Sequence, residues 1–595
     1  MKPNRLKVLG LLTALLASFL FPKPLQAGDV ITINIKGEVA GKTIRALLGV
    51  NGGPVKNIPD NPNSIDLVQQ YKDVGIASIR IHDLYQGNAE NFLDTSYIYP
   101  DSSKNPELNS SYNFAEGDRA FRSILQSGFE IYFRLGNSWG SSYNKEPVPE
   151  NVDNWIKAAV HIVDHYYQLS KSLGKPLKYI EIWNEPDNSV FWDKPFFAYF
   201  DLYSRTAKAI KSRFPELKVG GPAFTPMFAL TEKGKERARD FLRYVKDKGA
   251  PLDFFSWHMY SNKPEDYENG CKVVKELLAE FGFSHAESHV TEYNIELKQS
   301  EDIFLSAESA SLTTAFWITM QKEGVSQAFY YRGNDPDTDR PWVGLFWVDG
   351  KYKPTAYAFA LWSRLVPYGS MLDLEITNND GLFVIAGKNS SSEVAVLVAN
   401  TTGSSKNYSL NISGVDLAKL SVNICELSEK GDSLETRSAS ANALQVKPFG
   451  VQFLTFKKQT STVLVLKVND KYMLVNGQKQ EIDPGRGTVP IIKNGRTLVP
   501  IRAIVEALGG TVGWDGTEKK VTIKLSSTTI ELWIGRNRAR VNGTEKQIDR
   551  DNPSVVPEII NSRTMLPLRF VTENLGCTVE WDGTTKTITI EYKGG

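Results

Sequence analysis

From residue 44 onward, short β-branched and aromatic runs alternate with longer stretches whose apolar residues recur at helical spacing, the pattern of a parallel sheet with crossover helices. Eight strand candidates stand out: Ile44–Asn51, Ile76–His82, Glu130–Gly136, Tyr179–Asn184, Lys218–Pro222, Phe254–Tyr260, His289–Tyr293 and Ala328–Arg332. Helical periodicity fills the gaps, as in Asn154–Leu173, Tyr199–Phe214 and Ile303–Gly324. Repeated over residues 44–366, these units predict an α/β chain built on a (β/α)8 TIM barrel. An open doubly wound sheet would carry a glycine-rich phosphate turn after its first strand, and "GVNGGP" lacks that spacing.

After the helical stretch Pro354–Val366 the pattern changes to short strands separated by Asn, Gly and Ser, which predicts a β-sandwich over residues 367–457. The N-terminal segment 28–43, with "VITINIKGEV", is expected to lend that sandwich a strand. Residues 458–463 read as a linker. Beyond it lies an internal repeat. "RTLVPIR" from Arg496 recurs as "RTMLPLR" from Arg563, and "WDGT" at Trp514 recurs at Trp581, both 67 residues on, while "VNG" at Val475 recurs 66 residues on at Val541. Residues 464–525 and 526–593 are therefore expected to form two small α+β repeat modules.

Composition narrows the partner. In 595 residues there are 69 basic and 68 acidic side chains, a net charge of +1, which argues against nucleic acid or another polyanion held by bulk electrostatics. Three cysteines, Cys271, Cys425 and Cys577, fall in three different predicted domains and give no disulfide framework. Lys2, Arg5 and Lys7 precede an apolar run from Val8 to Phe21, so residues 1–27 are expected to be a signal peptide cleaved after Ala27. No later run approaches the about 20 apolar residues of a spanning helix. The mature chain is thus expected to be secreted, or held at a bacterial cell surface, without a transmembrane segment.

Candidate chemistry collects at predicted strand ends, where barrel active sites sit. "YIEIWNEPD" ends the fourth strand on Glu185, and "SHVTEYN" ends the seventh on Glu292. A carboxylate at a strand end is ordinarily a helix cap or an arginine partner. Two of them across one barrel mouth are what glycoside cleavage requires, one to protonate the leaving oxygen and one at the anomeric carbon. Trp139, Trp192, Trp257, Tyr331 and Trp342 lie near predicted loop mouths, where sugar stacking and rim packing are equal readings; for Arg332 and Asp335 the same holds of specificity and a loop salt bridge. His161 and His165 have metal-binding i, i+4 spacing but lie mid-helix without the glutamate of a zincin motif, so they are read as packing residues. No metal or cofactor is called for.

The segments "EIWNEPD", "KVGGPAF", "SWHMY" and "VTEYN" together resemble the retaining glycosidases of clan A, and most closely glycoside hydrolase family 39, the β-xylosidase and α-L-iduronidase family. That resemblance implies that Glu185 is the general acid/base and Glu292 the nucleophile, that Asn184 bonds the sugar 2-hydroxyl, and that His258, Tyr260, Arg80 and His82 hold the nucleophile and the sugar. It departs from the family's β-xylosidases at Asp83 and Arg134, so the catalytic pair is kept while the accepted sugar can differ. The repeats resemble the copper amine oxidase N-terminal-like domain of exported bacterial proteins. All six histidines precede them, which argues against copper there, and contact with a cell wall or polysaccharide is one expected role, inert spacing the other. The expected function is a retaining O-glycoside hydrolase with a carbohydrate substrate, β-xylosidase-like by leading assignment. An endo-acting or other-sugar glycosidase of the same clan, and a barrel that only binds carbohydrate, remain as alternatives.

Overall fold

Eight short parallel strands close on themselves in chain order: Gly49–Asn51, Ser78–Arg80, Glu130–Leu135, Tyr179–Ile182, Lys218–Phe224, Phe254–Tyr260, Glu287–Asn294 and Gln327–Tyr330. Each falls within or against a segment whose pattern predicted it. This computed structural model describes residues 30–54, 66–84, 91–138, 149–297, 301–335, 342–417, 420–439, 441, 444–458 and 461–593. The expected signal peptide and Trp139 lie outside them.

The barrel is filled in layers. Tyr132, Phe254, His289 and Phe329 point inward at one level, with the Phe254 and His289 rings stacked at 4.4 Å. Glycine makes that layer fit: a Cβ on Gly49 would come within 2.5 Å of the Phe329 ring, and one on Gly220 within 2.5 Å of the Phe254 ring. Two residues further along the strands the lumen turns polar, with Asn51, Arg80, Glu181 and Ser256 all fully buried. The outer helices include Val152–Ser172, Phe196–Arg213, Pro264–Phe281, Ala307–Glu323 and Pro354–Leu365.

The N-terminal strand Ile31–Thr43 pairs antiparallel with Ser370–Thr377 and parallel with Lys406–Ile412, joining a nine-stranded sheet. That sheet doubles over on itself, so the sandwich is one continuous hydrogen-bonded sheet; the Tyr408 hydroxyl bridges its halves by donating to Gln452 Oε1 at 2.7 Å. Strand Val394–Asn400 explains why "VAVLVAN" carries no polar alternation. Val396 and Val398 face the sandwich core while Ala395, Leu397 and Ala399 belong to the core shared with the barrel. Both faces are buried, as in a parallel sheet.

The C-terminal repeats depart from expectation. Thr462–Lys467, at the start of the first repeat, pairs with Thr587–Tyr592, at the end of the second. One five-stranded sheet thus takes three strands from the first repeat and two from the second, another takes the converse, and Arg496–Pro500 pairs with Arg563–Pro567 between them. A single hydrophobic core spans both repeats, so what the sequence divides into two modules is one interlocked domain. The linker also shortens, because Thr462 and Val463 already pair with Tyr592 and Glu591. Among the described residues no helix is long and apolar enough to cross a membrane.

Interlocking makes a test. Deleting residues 587–595 from the full chain removes the partner of Thr462–Lys467, and limited proteolysis is expected to open the first repeat together with the second while the barrel stays protected. A first repeat that resists digestion would mean that each repeat folds alone.

Candidate active site

Arg80, on the second barrel strand, is fully buried in the lumen and spends its N–H groups on four side chains. Nε donates to Glu181 Oε2 at 2.7 Å, Nη1 to Asn51 Oδ1 at 2.9 Å and to Glu292 Oε1 at 2.8 Å, and Nη2 to Asn184 Oδ1 at 2.6 Å. A guanidinium is suited to this because its donors lie in one fixed plane. Burial alone would favour loss of its proton, but the Glu181 and Glu292 carboxylates outweigh that and hold the charge more firmly.

Two different backbone devices aim the two predicted carboxyl groups. After Ile182 the chain leaves regular strand geometry, with Trp183 at φ 79° and Glu185 at φ 46°, on either side of Asn184. Left-handed conformations cost non-glycine residues about 1–3 kcal/mol each, and they persist where the surroundings over-determine them. Here Trp183 N–H donates to Leu135 O at 2.8 Å on one side, and Glu185 N–H to Ala223 O at 3.0 Å on the other. The Trp183 indole is anchored to Phe191 O at 3.0 Å, and Asp187 accepts from the backbone and hydroxyl of Thr225. On the seventh strand the register skips Thr291, pairing Val290 with Trp257 but Glu292 with His258. Such a bulge turns the next side chain inward. Asn51 secures it by donating Nδ2 to Thr291 O at 2.9 Å.

The two carboxyl groups therefore meet. One oxygen of Glu185, one of Glu292 and a ring nitrogen of His258 lie within 4.8 Å of one another. Their surroundings differ. Glu292 accepts from Arg80 and, through Oε2, from the Tyr260 hydroxyl at 2.6 Å, with His82 Nε2 at 3.4 Å and His258 Nδ1 at 3.5 Å. Among the described residues Glu185 accepts the neutral amide of Asn188, at 2.8 Å on Oε2, and meets His258 Nδ1 at 2.8 Å on Oε1. Burial raises the Glu185 pKa from 4.5 to about 7, against the opposing pull of Asn188 and Arg80. Burial also raises Glu292 above its ordinary value, with the Arg80 cation and the Tyr260 hydroxyl working against it. Desolvation pushes His258 down to about 4 and His82 well below its ordinary value, so both rings are neutral near pH 7. Burial raises both carboxyl groups, and what distinguishes the two is the unequal set of donors around them. The charged neighbour that raises Glu185 is Asp83.

Asn184 keeps its Nδ2 buried with no hydrogen-bond partner among the described residues, as do His258 Nε2 and His82 Nδ1. Unpartnered buried atoms occur elsewhere in the chain too, but these three adjoin the two carboxyl groups, where a ligand would complete the network. One imidazole and two carboxylates also form a metal-donor set, but all four carboxyl oxygens already meet a nitrogen or hydroxyl partner that a cation would have to displace.

Other predicted residues take supporting places. The Tyr331 hydroxyl donates to Asp83 Oδ2 at 2.7 Å, and Arg332 Nη2 donates to Asp83 O at 2.6 Å, so both are tied to the loop after the second strand. Asp335 is buried against Lys353 and the backbone of Trp342 and Gly344, the loop salt bridge of the two readings. Arg134 lies close enough to His82 for its charge to lower that ring's pKa. It is fully buried and donates to Asp94 Oδ1 at 2.7 Å and to Ser138 Oγ at 3.1 Å. Trp257 and Trp192 are buried packing residues: Trp257 lies edge-on to Phe228 at 5.5 Å and Trp192 edge-on to Trp183 at 5.2 Å. His161 stacks on Tyr112 at 4.5 Å and His165 on Phe114 at 3.8 Å, which makes them packing residues too. Glu181 and Asn51 went unrecognised in the sequence, although "YIEIW" sets a charge in mid-strand, a position that demands a buried partner.

Residues 51–292 match the family model of glycosyl hydrolases family 39, from the asparagine that holds Arg80 to the second carboxylate, and residues 487–590 match that of the copper amine oxidase N-terminal domain. The chain is 27% identical over 373 residues to a β-xylosidase of Geobacillus stearothermophilus, covering 56% of this chain and 69% of that protein. It is 39% identical over 113 residues to a β-xylosidase of Caldicellulosiruptor saccharolyticus, covering 19% of this chain and 22% of that protein. In fold it is similar to solved structures of a glucosidase from Croceicoccus marinus, with TM-score 0.57 at 19% identity over 72% of this chain and 99% of that one. It is likewise similar to a GH39 enzyme from Xanthomonas axonopodis pv. citri, with TM-score 0.55 at 17% identity over 72% and 97%.

A stability measurement tests the buried carboxyl. Because folding raises the Glu185 pKa from 4.5 to about 7, the folded chain binds that proton more tightly than the unfolded one, and the associated stability, full below pH 4.5, is lost as pH rises through 7. Glu185→Gln removes the titration. Its barrel is expected to be more stable than the parent by about 1–3 kcal/mol at pH 8 and equal to it near pH 4, read from unfolding curves at each pH. A pH-independent difference would place the Glu185 pKa at its ordinary value.

Proposed function

We propose that this chain, whose barrel is a glycosyl hydrolases family 39 domain, cleaves O-glycosidic bonds with retention of configuration, and that its leading substrate class is the β-xyloside. The observation that carries the proposal is the approach of Glu185 and Glu292 to within 4.8 Å, each in a different electrostatic setting. Retaining enzymes hold their two carboxyl groups about 5–5.5 Å apart, whereas inverting ones leave about 6.5–9.5 Å for a water. The β-xyloside assignment is supported by the two β-xylosidase relatives.

In the first step a Glu292 oxygen attacks the anomeric carbon as the bond to the leaving oxygen breaks. Glu185 gives that oxygen its proton, so the alcohol departs neutral and a glycosyl ester is left on Glu292. In the second step Glu185, now a carboxylate, takes a proton from water, whose oxygen attacks the same carbon and releases Glu292. Arg80 and Tyr260 keep the nucleophile ionised before attack and receive the charge back on release. The free amide hydrogens of Asn184 suit the sugar 2-hydroxyl oxygen, in line with the resemblance. A barrel that merely bound sugar would not need one carboxyl held protonated beside another held as an anion. Export remains part of this reading on the strength of residues 1–27 alone.

Treatment with a 2-fluoro-xyloside bearing a good leaving group is expected to add one sugar to the peptide that contains Glu292. Glu292→Gln should lose turnover by several orders of magnitude. Glu185→Ala should retain activity on activated aryl glycosides and recover with azide. Label on another residue, or normal turnover by Glu292→Gln, rules out the assignment.

The pH profile supplies a second check. Activity requires Glu185 protonated, so kcat/KM should fall as pH rises through about 7. Asn188→Ala removes a donor that favours the charged carboxylate, and the alkaline limb should move to higher pH. An unmoved or lowered limb would assign it to another group.

A further inference from the structure

The interlocked C-terminal domain has two clefts built from equivalent positions of its two repeats. The first, about 900 Å³, is lined by Trp514, Arg502, Glu506 and Asp483 of the first repeat and by Arg563 and Ile559 of the second. The second, about 660 Å³, is lined by Trp581, Arg569, Glu573 and Asp549 of the second repeat and by Arg496 and Ile492 of the first. Each cleft is completed by a strand from the other repeat. Ala503 and Ala507 of the first cleft are replaced by Phe570 and Asn574 in the second, which accounts for the smaller volume.

Three features recur in both. A tryptophan on a strand that hydrogen-bonds on one side only stays 45% exposed at 514 and 41% at 581, two of the few large apolar side chains left open to water. Beyond each indole nitrogen the turn carries a glycine, Gly516 or Gly583, whose added Cβ would sit 3.5 or 3.4 Å from it. Across the cleft an arginine of one repeat bonds an aspartate of the other, Arg563 to Asp483 at 2.8 Å and Arg496 to Asp549 at 2.6 Å. A second arginine, Arg502 or Arg569, lies 3.8 or 3.9 Å from a glutamate one helical turn on.

We propose that these clefts are two equivalent binding sites for a neutral polysaccharide, with Trp514 and Trp581 as the platforms on which sugar rings stack. The cations that the two clefts share each face a carboxylate, Arg563 and Arg496 within hydrogen-bond distance, whereas Arg550 lines the second cleft alone, so an anionic ligand would not find the same match in both. What remains is an open indole plane beside fixed N–H donors and carboxylate acceptors, a match for a ring with apolar C–H faces and hydroxyl edges. Two copies of one cleft suit a ligand that repeats along its length, because the second engagement is intramolecular.

The test uses the full chain and Trp514→Ala, Trp581→Ala and the double variant. Retention is measured on insoluble xylan, cellulose and chitin, with polygalacturonate and casein as anionic and peptide probes. Turnover of a small aryl glycoside and the circular dichroism melt serve as controls. The parent should be retained by at least one neutral polymer. Each single variant should bind about 2- to 13-fold more weakly, and the double variant more weakly than either, while aryl glycoside turnover is unchanged. Should the alanine variants fail to fold, Trp514→Phe and Trp581→Phe keep a stacking face and should bind within a fewfold of the parent, whereas Trp514→Ser and Trp581→Ser should not. Retention of the parent by no neutral polymer, or only by polygalacturonate or casein, would overturn the proposal. So would a folded double variant that binds as tightly as the parent.

Discussion

A guanidinium sealed inside a barrel is the constraint on which this active site turns. Taking an ion out of water costs several kcal/mol even after relaxation, and the cost is offset only when its donors are met in good geometry. Arg80, on the second strand, meets that condition with side chains from the first, fourth and seventh strands of the wall. The same bonds that make the buried charge tolerable fix the distance across the lumen between the fourth and seventh strands, the first of which leads into Glu185 and the second of which carries Glu292. Barrel closure and the spacing of the two carboxyl groups are therefore one requirement. Asn51 shows the coupling at its tightest, since it accepts from Arg80 with its oxygen and steadies the Thr291 bulge with its nitrogen.

Unequal treatment of two like groups follows from that arrangement. The Arg80 cation lies against Glu292 and Glu181 and does not hydrogen-bond Glu185, which has a neutral amide and a neutral imidazole for company. Both carboxyl groups are desolvated, so the difference arises from where the donors were spent. The backbone around Glu185 carries strain in two left-handed residues, whereas Glu292 is aimed by an inserted residue. Each device fixes direction by a distortion that regular strand geometry would not give.

Much of this was legible in the sequence. The eight strands were found because each is a short β-branched run between helical stretches, and the two carboxyl groups that meet in the lumen because both glutamates sit where apolar alternation stops. Glu181 and Asn51 were not, since a polar residue inside a short run reads as a boundary until its partner on another strand is known. Trp257 and Trp192 stayed open between stacking and packing for a related reason: strands and loops of a parallel barrel are buried against helices outside as well as side chains inside, so an aromatic residue does not reveal which side it faces. The partner of Arg134 was hidden likewise, because its counter-charge Asp94 lies outside the barrel strands in a segment with no periodicity. The repeat period gave the unit length, but which halves pair is a matter of three-dimensional closure that a period does not encode.

That closure bears on why the repeat comes in twos. A lone repeat would leave Thr462–Lys467 without the neighbour it has in Thr587–Tyr592, exposing an unpaired edge, and would leave Trp514 facing half a cleft that lacks Arg563. Pairing satisfies both needs at once, and by symmetry it generates two clefts wherever it generates one. Any ligand complementary to the first is presented with a second copy at fixed distance, and a polymer gains from that more than a monomer does. The chemistry of the barrel, which acts on one linkage at a time, and the geometry of the C-terminal domain, which favours repeating chains, are thus compatible with one substrate without sharing a residue.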